Sequence, residues 1–166
     1  VSGRVILGID PGSVATGYGI VRPEGHRLHY VDAGVIRISG KVGFAQRLER
    51  IYSGLQDIIK KYCPTVSAVE DVFQAKNARS ALKLGHARGA TILAAIHGGL
   101  EVYEYSPSEI KKAVVGYGRA DKAQVQHMVK LLLNLSKRPA QDAADALAVA
   151  ICHYHANNIF SNRQIG

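Results

Sequence analysis

The chain has 166 residues, 47% hydrophobic and 20% charged, which is enough apolar material for one sizeable buried core. Its 21 Lys and Arg against 13 Asp and Glu leave a formal charge of +8, a balance that either favours a polyanionic partner or serves solubility alone. Cys63 and Cys152 lack metal-ligand spacing and read as reduced thiols of a cytoplasmic protein. No apolar run approaches the roughly 18 residues of a membrane span, and the first one breaks at Asp10 without a cleavage site, so no secretory leader is expected.

In chain order, residues 5–9 form a continuous apolar run, the pattern of a strand buried on both faces. Residues 18–21 and 28–38 follow, with Pro23-Glu24-Gly25 as the turn between them, and the three segments read as an antiparallel meander. Phe44, Leu48, Ile51, Tyr52, Leu55, Ile58, Ile59 and Tyr62 then recur at spacings of three and four, which predicts a helix over 44–62 closed by Cys63-Pro64. Residues 66–69 are a short buried strand, so strand, helix and strand make a parallel crossover. A second helix over 78–96 is rich in Ala and Gly, a surface suited to close helix or subunit packing, and Gly98-Gly99 ends it. Residues 100–105 are a fifth strand, and Ser106-Pro107 starts a helix by cap and first-turn proline. Gly116-Tyr117-Gly118 breaks the chain before a helix over 120–135, and Pro139 introduces a last helix over about 141–155. The expected architecture is a single α/β domain over 1–166, a five-stranded mixed sheet flanked by helices.

Four acids stand in otherwise apolar stretches: Asp10 and Glu70 at the ends of core strands, Asp142 and Asp145 on an alanine-rich helix. The helix pair shares a face and lies in the first turns, where the dipole favours negative charge, so taken alone it reads as helix capping. Taken together the four mean something else. Carboxylates converging near 4 Å repel by about 4 kcal/mol per pair at an effective dielectric near 20. Folding stability totals only about 5–15 kcal/mol, so a converging cluster requires protons or cations. Oxygen-only donors suit Mg²⁺ or Mn²⁺, and two such ions support phosphodiester cleavage.

The sequence resembles the RuvC family of bacterial Holliday-junction resolvases over essentially its whole length. The resemblance is carried by Leu7-Gly8-Ile9-Asp10-Pro11-Gly12-Ser13, Thr16-Gly17-Tyr18-Gly19, and Glu70-Asp71-Val72-Phe73 running into Ala75-Lys76-Asn77. It continues through Ser80-Ala81-Leu82-Lys83-Leu84-Gly85, Val114-Val115-Gly116, Lys122-Ala123-Gln124-Val125-Gln126-His127-Met128 and Asp142-Ala143-Ala144-Asp145-Ala146-Leu147-Ala148. It implies an RNase H-like fold and a homodimer that resolves four-way junctions by paired nicks on strands of like polarity, in recombination and repair. It further implies two Mg²⁺ ions per site (Mn²⁺ as substitute), a branch-migration helicase complex as partner, and a bacterial cytoplasmic setting.

The family's catalytic and metal-binding acids fall on Asp10, Glu70, Asp142 and Asp145, with Asp10 placed to bridge the ions. Lys111 and Lys122 match residues linked to DNA handling or catalysis; without the resemblance they are solvated surface lysines. Phe73 either stacks on an unpaired base or fills the core under its loop. Lys76, Arg79 and Lys83 are candidate phosphate contacts; Arg88 follows on the same segment, and an ordinary solvated helix charge is nearly as good a reading of it. Asp71 departs from the Gln of many relatives, and alternation along the strand points it away from Glu70 and out of the metal site. Arg79 replaces a residue that is acidic in relatives. His153 and His155 diverge on their helix and make a poor metal pair, and His127 reads as partly buried. Three rivals remain: an actin-like ATPase fragment, for which the chain is too short, an RNA-processing relative, and a junction binder without catalysis.

Overall fold

A computed structural model describes residues 4–72 and 75–161, with side chains to residue 157. The elements run β1 (Ile6–Asp10), β2 (Ala15–Glu24), β3 (Arg27–Arg37), α1 (Phe44–Tyr62), β4 (Val66–Glu70), α2 (Ala78–His97), β5 (Glu101–Tyr105), α3 (Pro107–Val115), α4 (Lys122–Leu132) and α5 (Gln141–Ser161). The five strands form one sheet in the order β3-β2-β1-β4-β5. β2 runs antiparallel to both β1 and β3, while β4 runs parallel to β1 and β5 parallel to β4. The expected mixed sheet is therefore present, with its meander on one side and its crossovers on the other.

The hairpin is longer than the sequence pattern predicts. Pro23 and Glu24 belong to β2, opposite Leu28 and Arg27, and the turn is made at Gly25, whose φ is +60°. Beyond Val21, the partner of Ile6, β2 has only β3 beside it, so the missing proline N–H costs the sheet nothing on the other side. The fourth helix begins at Lys122 rather than two residues earlier. Asp121 caps it in a reciprocal box with Gln124, which fixes where the helix can start. α5 runs on to Ser161, since nothing after His155 interrupts it. His127, expected to be partly buried, is exposed.

Each face of the sheet has its own core. Leu7, Ile9, Ile20 and Val69 pack against Ile51, Leu55 and Ile59 of α1 and Ala87, Ala94 and Ala95 of α2. Ile6, Val21 and Ala68 pack on the opposite face against α3, α4 and α5. α5 is buried almost all round from Ala143 to His153, Asp145 excepted, which explains why its sequence is apolar without a polar stripe. Its approach to the sheet depends on glycine. A Cβ on Gly8 would stand 2.1 Å from the Ala146 carbonyl oxygen, and one on Gly17 would stand 2.1 Å from that of Asp142. Among the described residues, no helix is long and apolar enough to cross a membrane.

Candidate active site

That close approach brings three separate parts of the chain to one point. β1 and β4 are parallel neighbours with Ile9 beside Val69, so their terminal acids Asp10 and Glu70 emerge together. Gly17 stands opposite Asp10 and admits the first turn of α5, which carries Asp142 and Asp145 over the strand ends. Ligand oxygens of Asp10, Asp142 and Asp145 all lie within 4.8 Å of one another. Glu70 lines the same cavity as Asp10 and Asp145, next to Asp10. Three of the four acids expected to converge thus share one point, and Glu70 lines the cavity beside them.

Burial and repulsion set the protonation of the cluster. The Asp10 carboxyl is pushed up to about 9, first by burial, then by the hydrogen bond to Glu70 and the charges of Glu70, Asp145 and Asp142. Asp145 is pushed up to about 6 by burial, against the pull of Lys122 and Lys111. Lys122 Nζ lies 3.8 Å from Asp145 Oδ2, a pair with an exposed lysine and a mostly buried acid. Such a cluster either retains protons near neutrality or takes up cations, and its donors are all hard oxygens, which fit Mg²⁺ or Mn²⁺.

A cavity of about 320 Å³ opens onto the acids, lined by Asp10, Glu70 and Asp145 and by Lys111 of α3 and Lys122 of α4. Both lysines are set by capped helix starts. Ser106 and Glu109 form a capping box on α3, with Pro107 in its first turn, and Asp121 and Gln124 do the same for α4. Lys76, Arg79 and Lys83 are exposed and do not line this cavity. Lys83 instead extends over the Phe44 ring, 5.9 Å from its centre, towards α1. Phe73 lies outside the described residues.

Two features were not anticipated. Arg88 is no solvated helix charge; it contacts both Asp71 and Glu104 on the sheet face away from α5. Asp71 does point away from the metal site, as alternation requires, and Arg88 is the reason it is tolerated there. His153 is buried and bonds Tyr105 through Nδ1 and Asn157 through Nε2, each at 2.8 Å. Burial holds its ring down to about 4, hence neutral, and its role is structural. Cys63 and Cys152 are free.

Acids gathered at adjacent parallel strand ends, completed by a helix crossing them, on a five-stranded mixed sheet, define a metal-dependent nuclease of the RNase H-like fold. The sequence model of the family described as crossover junction endodeoxyribonuclease RuvC matches residues 6–153. The chain belongs to the RuvC family of crossover junction endodeoxyribonucleases. It is 58% identical over 161 residues to the RuvC of Citrifermentans bemidjiense, covering 95% of this chain and 98% of that protein. The RuvC of a Geobacter species is 60% identical over 152 residues, covering 92% and 93%. Among solved structures, Thermus thermophilus RuvC in complex with a Holliday junction substrate superposes with a TM-score of 0.89 at 33% identity, covering 95% of this chain and 96% of that one.

Proposed function

We propose that this chain, as a single nuclease domain, resolves four-way DNA junctions by paired nicks on strands of like polarity, with Asp10, Glu70, Asp142 and Asp145 holding two Mg²⁺ ions. The observation that carries this reading is the convergence of acids from β1, β4 and α5 within one cationic-rimmed cavity. Bound ions would supply activation of the attacking water and stabilisation of the leaving 3′-oxygen. Asp10, nearest the centre of the sheet and in contact with Glu70, is the residue best placed to serve both ions, and Mn²⁺ would substitute. Lys122 favours the ionised form of Asp145 and, with Lys111, offers the entering phosphate a positive rim. Lys76, Arg79 and Lys83 are proposed as backbone contacts, since all three are exposed on one basic segment, and Phe73 as a base-stacking residue by its family position.

A homodimer with one site per subunit is supported by the outer surface of α1 and α2. There Leu82, Leu93 and Ile96 are 65%, 51% and 53% exposed. They accompany a shallow apolar groove of about 980 Å³ whose floor includes Gly85 and Gly89. A Cβ on either glycine would meet nothing within 4 Å, so the groove has room for another backbone. Work alongside a branch-migration helicase complex in a bacterial cytoplasm follows from family membership alone.

The decisive assay is nicking of a synthetic four-way junction against a linear duplex of the same sequence, with and without Mg²⁺. Wild type is expected to nick the junction selectively and only with metal, and Asp10→Asn to bind it without cutting. Equal cleavage by both proteins would discard the assigned site.

A further inference from the structure

Behind the strand tip that carries Glu70, one guanidinium holds two acids. Arg88 Nη2 of α2 lies 2.9 Å from Asp71 Oδ1 and 2.5 Å from Glu104 Oε1, with the Arg88 side chain 24% exposed and that of Asp71 21%. Val69 packs in the core on the α1–α2 side, so alternation puts Asp71 on that side and Glu70 on the other. Glu104 stands opposite Val69 in the parallel register, and Tyr105 stands opposite Glu70. Asp71 also donates its N–H to the Tyr105 carbonyl at 2.8 Å. The two acids thus flank Glu70, one next in the chain and the other across from the residue before it.

The two contacts differ in kind. Arg88 donates a charge-assisted hydrogen bond to Glu104. Its approach to Asp71 is off the N–H axis, and neither Asp71 Oδ1 nor Arg88 Nε has a hydrogen-bond partner among the described residues. Charge therefore holds the Asp71 Oδ1 side of the carboxylate, in a mostly buried place where attraction is less screened than at the surface.

We infer that Arg88 is a positioning residue for the metal site: through Asp71 and Glu104 it ties the end of β4 to α2 and β5, and so holds the Glu70 carboxylate in place. β4 ends at Glu70, and the chain after Asp71 contributes Val72 to the wall of the acid cavity before leaving for α2. Glu70 is hence the last residue of its strand, and the residue after it is secured by one backbone bond and this clip. Ligand side chains have to be held within about 0.5 Å to bind an ion well, and partners behind them supply that restraint. The inference rests on reading Glu70 as a metal ligand.

The test titrates Mn²⁺ calorimetrically into DNA-free protein and measures thermal unfolding, junction affinity without metal, and the Mg²⁺ concentration for half-maximal nicking. Arg88→Met alone strands two acids, so it is paired with Arg88→Met/Asp71→Asn/Glu104→Gln, which removes the charges together; the triple variant decides if the single one does not fold. Both are expected to bind Mn²⁺ about 10–100-fold more weakly and to need correspondingly more Mg²⁺, with junction affinity changed by less than about twofold. Arg88→Lys should recover only part, since a compact, strongly hydrated ammonium is costlier to hold in this mostly buried place than a guanidinium nitrogen. A folded triple variant with wild-type Mn²⁺ affinity and Mg²⁺ dependence, whatever its Tm, would reduce Arg88 to a structural tie and overturn the inference. So would a loss of junction affinity with Mn²⁺ binding intact. Glu70→Gln is measured alongside, because wild-type Mn²⁺ affinity in that variant would remove the ligand reading itself, separately from any result at Arg88.

Discussion

The two faces of the sheet are built on opposite plans. On one, α5 lies so close that Gly8 and Gly17 have no room for a methyl group, and two of its acids join the cluster. On the other, α1 and α2 bury aliphatic side chains inward yet leave Leu82, Leu93 and Ile96 facing out, beside glycines with open space above them. α5 closes the first face against the strands; the outer surface of α2 stays open, and it is there that the partner subunit is proposed to lie. Small residues therefore mean different things in the two places, contact already made in one and contact still available in the other.

Gly8→Ala should break the first face outright. With the new Cβ at 2.1 Å from a backbone oxygen, α5 has to move, and the cost is expected to exceed about 3 kcal/mol by chemical denaturation, with nicking lost. Leu93→Asp tests the second face. It is expected to leave the folded protomer intact while weakening self-association by about 2–3 kcal/mol, roughly 30–150-fold, measured by sedimentation equilibrium. A dimer of undiminished affinity would move the interface elsewhere.

The smallest effect is electrostatic. Because the Asp10 pKa is held near 9, above the 3.8 of a free carboxyl, the folded metal-free protein keeps a proton that the unfolded chain has lost between those values. This group's contribution to metal-free stability therefore falls as pH rises from about 4 towards 9. Asp10→Asn removes that slope and should stabilise the metal-free protein by about 1 kcal/mol at pH 8, a value discounted for the partial exposure of the carboxyl. An unchanged Tm between pH 6 and 8 for wild type and variant alike would show that the acids are not coupled in solution.

Much of this was legible in the residues. Strand and helix periods, punctuated by Cys63-Pro64, Gly98-Gly99 and Ser106-Pro107, located every element, and four acids interrupting apolar runs marked the site. The hairpin was misjudged because Pro23 is a turn signal, and only the shortness of β1 explains why a strand can contain it there. The Arg88 clip was invisible for another reason. Its partners lie 17 residues before it and 16 after, and only the β4–β5 register brings them together. Local spacing says what a segment becomes, whereas which long side chain meets which acid is decided by the assembled sheet.

α5 carries two of the four acids on the most thoroughly enclosed backbone of the molecule, wedged between a carbonyl-tight seat on the strands and the α3–α4 pair. A helix so confined cannot adapt its pitch or tilt to an incoming phosphate. On the proposed function, accommodation to differently shaped branched substrates falls to the periphery, to the exposed basic start of α2 and to Lys111 and Lys122 of α3 and α4. Variants that retune substrate choice should accumulate there, leaving the anvil beneath them untouched.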